Sequence, residues 1–414
     1  MIRSNIAAPS GAEGKAHFRV LDGWRGIAAL LVALFHLNLL SPLYSLDFVR
    51  NAFLFVDFFF VLSGFVITHS YVDRLGTADG VRSFAIRRFG RLWPLHVVVL
   101  TAFVLAESAK AVLAARGASF YAQPFAGANL PSTIPLNLAF LQPFGFTHEL
   151  TWNPPSWSIG AEFWTYLVFA AVIFISRSWL ARYRFAAEGL AALLLVLSFM
   201  TLILFSAHGI DATFDLGFVR CLYGFLVGHF CYRLWQVCPR DIFASPLIEV
   251  AAVILAFGYV ATAGRGVHSF VAPLVFAMVV LVFAFEAGPV SKLMSNRVND
   301  WLGRISYSIY MWQAFIIFNF VDRPVSIIEK LTGRALTTTD GAVSALGGEA
   351  GKLIVLGGHW LPLLATMAFV CVLVAVASVS YVVIEKPGQA LFARSAASRG
   401  GPAKAVVIAP KLPA

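Results

Sequence analysis

Hydrophobic positions along the chain gather into ten long runs separated by short polar stretches. The runs lie near residues 24–41, 52–71, 92–113, 157–176, 187–206, 216–235, 247–263, 270–287, 305–321 and 359–384. A helix needs about 20 apolar residues to cross a bilayer, and each run meets or approaches that length. The pattern predicts an all-α fold, a polytopic membrane bundle of about ten transmembrane helices. No short internal repeat or low-complexity tract interrupts it. A membrane domain over 1–387 is followed by a short tail, 388–414, too rich in Ala, Gly and Pro to form a domain and expected to be disordered.

The polar connections set the orientation. Arg3, Lys15 and Arg19 precede the first run, and Arg74, Arg82, Arg87, Arg88 and Arg91 separate the second from the third. Arg177, Arg182 and Arg184 follow the fourth, and Lys292, Arg297 and Arg304 follow the eighth. Roughly two-thirds of the basic residues fall on one side, which by the positive-inside rule is cytoplasmic. Both termini are then cytoplasmic, and the long connections 114–156 and 322–358 face outward. Residues 1–40 have the outline of a signal peptide. No convincing small-residue cleavage site follows, so the first helix is expected to be retained.

Composition agrees. The 414 residues are 59% hydrophobic and 13% charged, with too little polar surface for a soluble domain. The net charge of +10 would suggest nucleic acid in a soluble protein. Here the basic loops account for it, and no nucleic-acid partner is expected. Cys221, Cys231, Cys238 and Cys371 form no CxxC or Cys/His pattern, so neither a disulfide framework nor a metal site is expected.

Ionisable groups are costly in hydrocarbon, and those that persist usually line a site or a path. In LDGWRGIAALLVALFH, Arg25 and His36 lie eleven residues apart. Eleven helical steps return to within roughly 20° of the same face, about 16 Å further along the axis. The predicted orientation puts His36, Asp57 and Glu162 at a common depth, about 8 Å below the outer surface. Three such groups would form one site, in which a carboxylate fixes the tautomer of a general-base imidazole. Each could equally satisfy a separate neighbour, as buried polar residues in bundles do. At the opposite face Arg88 and Arg91 share a helix side in RRFGRLWPLH. They suit a phosphate-rich cofactor, with Arg25 on the same side, but topology and lipid headgroups explain them equally.

The remaining polar residues carry weaker signals. Ser63, before Gly64, is read as a packing position, since a nucleophilic serine would need a base and none is evident. Arg220 opens the sixth run and needs an acidic partner such as Asp215. His96 and His229 read as satisfied core histidines. Tyr307, Tyr310 and Gln313 offer hydrogen bonds in the ninth run, and Glu385-Lys386-Pro387 marks the end of the tenth.

In sequence order, LDGWRGIAALLVALFH, VDFFFVLSGFVI, RRFGRLWPLH, PSWSIGAEFWTY, GRISYSIYMW and VIEKP together resemble acyltransferase family 3. The resemblance runs over most of the chain. It implies a bacterial inner-membrane O-acyltransferase that moves an acyl group, commonly acetyl, from cytoplasmic acyl-CoA to a sugar hydroxyl on a lipid-linked or surface glycan. It implies that Arg25 and His36 are the central functional pair, that Arg88 and Arg91 serve the CoA side, and that Ser63, Gly64 and Glu162 are family features. Catalysis is then expected from His36 with Asp57 and Glu162, and cofactor binding from Arg25, Arg88 and Arg91. Ser63, Arg220, Tyr310 and Gln313 are expected to support substrate or structure.

Two departures from the family pattern stand out. Gln313 follows Trp312 where relatives often have a histidine, and glutamine cannot titrate. Many relatives also carry an outer SGNH-type domain, so this chain is expected to work alone or with a separate partner. The competing expectation is a proton-coupled transporter or flippase of a glycan or lipid, with His36, Asp57 and Glu162 as a relay. No inverted repeat with broken helices supports it. A non-catalytic membrane protein fits the intramembrane charges poorly.

Overall fold

The protein is described by a computed structural model covering residues 18–339 and 352–398, apart from 119, 121, 122, 181, 184, 244 and 359. Its architecture is helical. The main elements are α1 (Arg19–His36), α2 (Phe55–Tyr71), α3 (Ala78–Ala115), α4 (Ser156–Ser178), α5 (Ala186–Phe205) and α6 (Gly217–Val237). They continue with α7 (Pro246–Ala263), α8 (Ala272–Phe283), α9 (Arg297–Ile316), α10 (Trp360–Ser380) and α11 (Lys386–Ser398). Each apolar run falls on one of these helices.

Among the described residues, six helical segments are long and apolar enough to cross a membrane: 52–74, 78–115, 156–178, 186–205, 246–263 and 360–396. Helices α1, α6 and α9 fall short of that apolarity for one reason. They are interior helices whose hydropathy is diluted by Asp22 and Arg25, by Arg220 and Arg233, and by Asp300 and Arg304. Their buried faces need no lipid-compatible surface. Helix α8, at 12 residues, is short as well as apolar.

Two close crossings organise the interior. Helices α1 and α9 run parallel, joined by Arg19–Asp300, Arg25–Ser306 and His36–Gln313 contacts. Gly26 and Gly303 sit where the backbones meet: a Cβ on Gly303 would lie 2.4 Å from the Asp22 carbonyl oxygen. At the α2–α6 crossing, a Cβ on Gly64 would lie 1.9 Å from the Phe225 carbonyl oxygen, and one on Gly228 1.9 Å from that of Val61. Small residues let helices approach where lipid supplies no hydrophobic drive. Gly64→Ala therefore has to push two backbones apart, at a cost of about 1–3 kcal/mol or more. Detergent-solubilised Gly64→Ala should melt several degrees lower, and an unchanged melting temperature would contradict this packing.

The third run is part of a longer element. Helix α3 has 38 residues and carries Pro94, so Arg88 and Arg91 lie within the helix rather than at its start. Of the tail 388–414, residues 388–398 belong to α11, and its Phe392 covers Gly90 beside those arginines. The rest of the tail lies outside the described residues, as do Arg3, Lys15 and the glycine-rich 341–351 stretch. A π-helical turn, Tyr381–Glu385, joins α10 to α11, and another, Ile317–Asp322, follows α9.

The 322–358 connection also contributes the one β element among the described residues. Strand β1 (Thr337–Thr339) pairs antiparallel with β2 (Lys352–Ile354). Ile354 extends the pairing to the chain just past His36: its N–H donates to the Asn38 carbonyl, and its carbonyl accepts from Leu40. The end of α1 is thereby pinned.

Candidate active site

Three cavities follow one another through the bundle. The first is a vestibule of about 410 Å³ at the end of the bundle where α1 and α9 begin. It is lined by Asp22, Arg25, Arg91, Arg304, Tyr381 and Glu385. It shares Arg25, Leu62, Val66 and Arg91 with a central cavity of about 130 Å³. The central cavity shares Val56 and Tyr310 with a third, of about 250 Å³, at the end of the bundle where α1 finishes. That third cavity holds His36.

The arginines gather as the sequence suggested. Arg25, Arg88 and Arg91 all line the central cavity, brought there by α1 and α3. Arg25 is held by Ser306 at 3.0 Å, the Gly303 carbonyl at 2.9 Å and Asp22 at 2.9 Å. Arg88 donates to the Tyr71 hydroxyl at 2.7 Å and lies over that ring. Its Nε is buried with no hydrogen-bond partner. Arg91 makes no hydrogen bond or close ion pair among the described residues. Guanidinium forks with unused donors in a cavity suit phosphate or a polarised carbonyl.

The expected convergence of His36, Asp57 and Glu162 does not occur, for reasons of both depth and azimuth: Glu162 meets Ser63, about 9 Å further along α2 than Asp57. On α2, Asp57 and Ser63 are six residues apart, so they face directions about 120° apart. Ser63 looks toward α4, where it donates to Glu162 at 2.5 Å and pairs with the Tyr166 hydroxyl at 2.8 Å. Tyr166 also donates to Glu162. All three line the central cavity. The serine that had no evident base thus sits against a carboxylate.

Asp57 looks toward α6 instead. Arg220 clamps it through two bonds, Nε–Oδ1 at 3.0 Å and Nη2–Oδ2 at 2.7 Å, with both side chains essentially inaccessible. Arg220 also reaches Asp211 at 3.3 Å, and Arg265 meets that residue at 3.0 Å. The partners of Arg220 are therefore Asp57 and Asp211, not Asp215. A buried guanidinium left unpaired is strongly destabilising, which accounts for the carboxylate placed within its reach.

His36 has a different orienting group from those expected. Its Nδ1 lies 3.3 Å from Gln313 Oε1, while Gln313 Nε2 donates to the Tyr310 carbonyl at 3.0 Å. That second bond fixes the amide, so Oε1 must accept and Nδ1 must carry the proton. In the neutral ring Nε2 then holds the lone pair, the form a general base requires. Glutamine does here, without titrating, what the sequence reading had asked of a carboxylate.

Two further residues, Glu385 and Tyr166, took places that the sequence did not reveal. Glu385, read as a helix end, is buried at the vestibule, accepting from Ser308 at 2.9 Å. Tyr166 follows Glu162 by one helical turn, a spacing that could have flagged it. His148 and Glu149, on the 114–156 connection, line the third cavity with His208, Asp211 and Arg265. His96 and His229 are buried in the core but only half satisfied: one ring nitrogen meets the Asn137 carbonyl and Thr68 respectively, and the other has no partner among the described residues. Among the described residues no group of three or more His, Cys, Asp or Glu is placed to hold a metal ion.

Comparison with known proteins bears on this geometry. A family profile described as "Acyltransferase domain", of acyltransferase family 3, matches residues 18–385. Peptidoglycan O-acetyltransferase OatA of Listeria monocytogenes serovar 1/2a is 29% identical over 322 residues, 72% of this chain and 49% of that protein. A Staphylococcus aureus (strain COL) protein named as an O-acetyltransferase is 25% identical over 324 residues, 73% of this chain and 50% of its own length. Protein 2 in the picA locus of Rhizobium radiobacter is 39% identical over 84 residues, 20% of this chain and 42% of that protein. The chain spans about half the length of the first two relatives. No solved structure matches it.

Proposed function

The chain belongs to acyltransferase family 3, and from that premise we propose that it is an integral-membrane O-acyltransferase. It moves an acyl group, acetyl by analogy with its relatives, from cytoplasmic acyl-CoA to a hydroxyl of a cell-surface or lipid-linked glycan. The protein sits in the bacterial cytoplasmic membrane with the arginine end of the bundle facing the cytoplasm. The observation that supports this most is the row of three cavities, with Arg25 and Arg91 at one end and His36, its Nδ1 against Gln313, at the other.

The roles divide along that row. The CoA phosphates meet Arg91 and Arg25 at the vestibule, with Arg88 further in. The pantetheine arm lies in the central cavity, where Ser63 and Tyr166 hold Glu162 in place. The thioester reaches the junction at Val56 and Tyr310. The acceptor enters the third cavity, and His36 Nε2 takes the proton of its hydroxyl as that oxygen attacks the carbonyl. Asp57 and Arg220 build the wall rather than move the proton.

Two measurements test the reading. Mass spectrometry of the host's surface glycan, comparing the intact gene with its deletion, should show loss of an acyl mass increment. An unchanged glycan would remove the proposed acceptor. Calorimetric titration of the detergent-solubilised protein with CoA should show saturable binding. Each charge-assisted hydrogen bond is worth about 1.5–3 kcal/mol, so Arg88→Ala and Arg91→Ala should each weaken it roughly ten- to hundredfold. Gradient-driven uptake of glycan into vesicles without CoA would instead favour transport.

A further inference from the structure

Acyl transfer between two cavities must happen where they meet, and among the described residues only two line both. Val56 has no hydrogen-bonding side chain. Tyr310 has a hydroxyl, and α9 holds it there, buried, with its ring edge against Phe59 at 5.9 Å. Resting on the acyltransfer reading above, we infer that the Tyr310 hydroxyl, backed by Ser158, is the donor that stabilises the oxyanion of the reaction.

The covalent step makes the demand plain. The acceptor oxygen forms a bond to the thioester carbon while its proton passes to His36 Nε2. The carbonyl electron pair moves onto oxygen, giving an oxyanion. Collapse restores the carbonyl and breaks the carbon–sulfur bond, and the CoA thiolate takes the proton back from the imidazolium. The products are an ester and CoA thiol, and His36 ends as it began. The oxyanion forms in a water-poor interior, where a fixed donor has its greatest effect.

The hydroxyl pair suits that task. Tyr310 and Ser158 lie 2.8 Å apart, and Ser158 Oγ lies 3.1 Å from the Pro155 carbonyl. Two proton arrangements are open. In the first, Ser158 donates to Pro155 and Tyr310 donates to Ser158. In the second, Ser158 donates to the Tyr310 oxygen, and the tyrosine proton turns into the cavity. The Pro155 carbonyl is not abandoned in the second arrangement, because the Ser158 backbone N–H also reaches it, at 3.4 Å. Freeing the tyrosine proton therefore leaves no buried group unmet.

The test uses the full-length protein in inverted membrane vesicles from the host, supplied with acetyl-CoA and read by acetyl incorporation into the endogenous glycan. Tyr310→Phe keeps the ring and loses the hydroxyl. The expected result is a fall in kcat of about a hundredfold or more, as for other single oxyanion donors. KM for acetyl-CoA and CoA affinity should stay within twofold of the unaltered protein. A Tyr310→Phe rate equal to the unaltered one, or a loss confined to CoA affinity, would overturn the inference. Should Tyr310→Phe fail to accumulate, Ser158→Ala decides: kcat should fall about tenfold with KM unchanged, and an unchanged kcat would again overturn it. Absence of acetyl-CoA-dependent transfer by the unaltered protein is a separate outcome, which defeats the acyltransferase reading itself.

Discussion

His36→Ala leaves a protein that folds and binds CoA but loses acyl transfer by about a hundred- to ten-thousandfold, the usual contribution of a positioned general base. The expectation rests on position as well as chemistry. His36 is the last residue of α1, is 9% exposed, and lines the cavity away from Arg25, Arg88 and Arg91. Its removal touches no phosphate-binding group, so CoA affinity should hold. Gln313→Ala is the companion variant. It frees the imidazole to adopt either tautomer and should cost part of the same rate, with kcat rather than KM affected. The readout is acetyl incorporation into the host glycan alongside calorimetry with CoA. A His36→Ala protein that still acylates would make the histidine a packing residue.

Arg220→Met has a different signature. It strands the Asp57 carboxylate in an interior where neither side chain meets solvent. Removing one partner of such a pair costs about 3–5 kcal/mol, against a net stability of about 5–15 kcal/mol for a typical domain. The variant should accumulate poorly in membranes and melt well below the unaltered protein. Asp57→Asn should also destabilise, though less, because the guanidinium loses its doubly bonded partner but keeps Asp211 at 3.3 Å. The apolar double variant, Asp57→Leu with Arg220→Met, should recover much of the lost accumulation, since a matched hydrophobic pair replaces a buried ion pair at little or no cost. Accumulation is read by immunoblotting of membranes and stability by thermal melting in detergent. Had Asp57 oriented His36, Asp57→Asn would fold normally and lose only kcat, so this series separates the two roles.

Much was legible before any coordinates. Hydrophobic runs placed the main helices, because a bilayer demands long apolar segments with internally satisfied backbones. The eleven-residue spacing placed Arg25 and His36 along one helix, and they indeed face cavities at its two ends. The pair Arg88 and Arg91 reached one cavity because i,i+3 positions share a helix face. The six motifs in order identified the family. The start of α3 was missed because its first turns are polar, and helix propensity there leaves no hydropathy signal.

Sequence counted depth, and depth alone put His36, Asp57 and Glu162 together. Which way each side chain points depends on how a helix is rotated against its neighbours, and that is set by contacts far apart in the chain. Gly64 and Gly228 fix the rotation of α2 against α6, and with it the pairing of Asp57 with Arg220, 163 residues away. The same rotation turns Ser63 to Glu162. The parallel docking of α1 on α9 brings Gln313 to His36. The sequence by itself determined the membrane bundle, the family and the chemical types available along each helix. Only the tertiary structure decided which of them share a cavity, because helix azimuth and the relative depth of neighbouring helices are properties of packing.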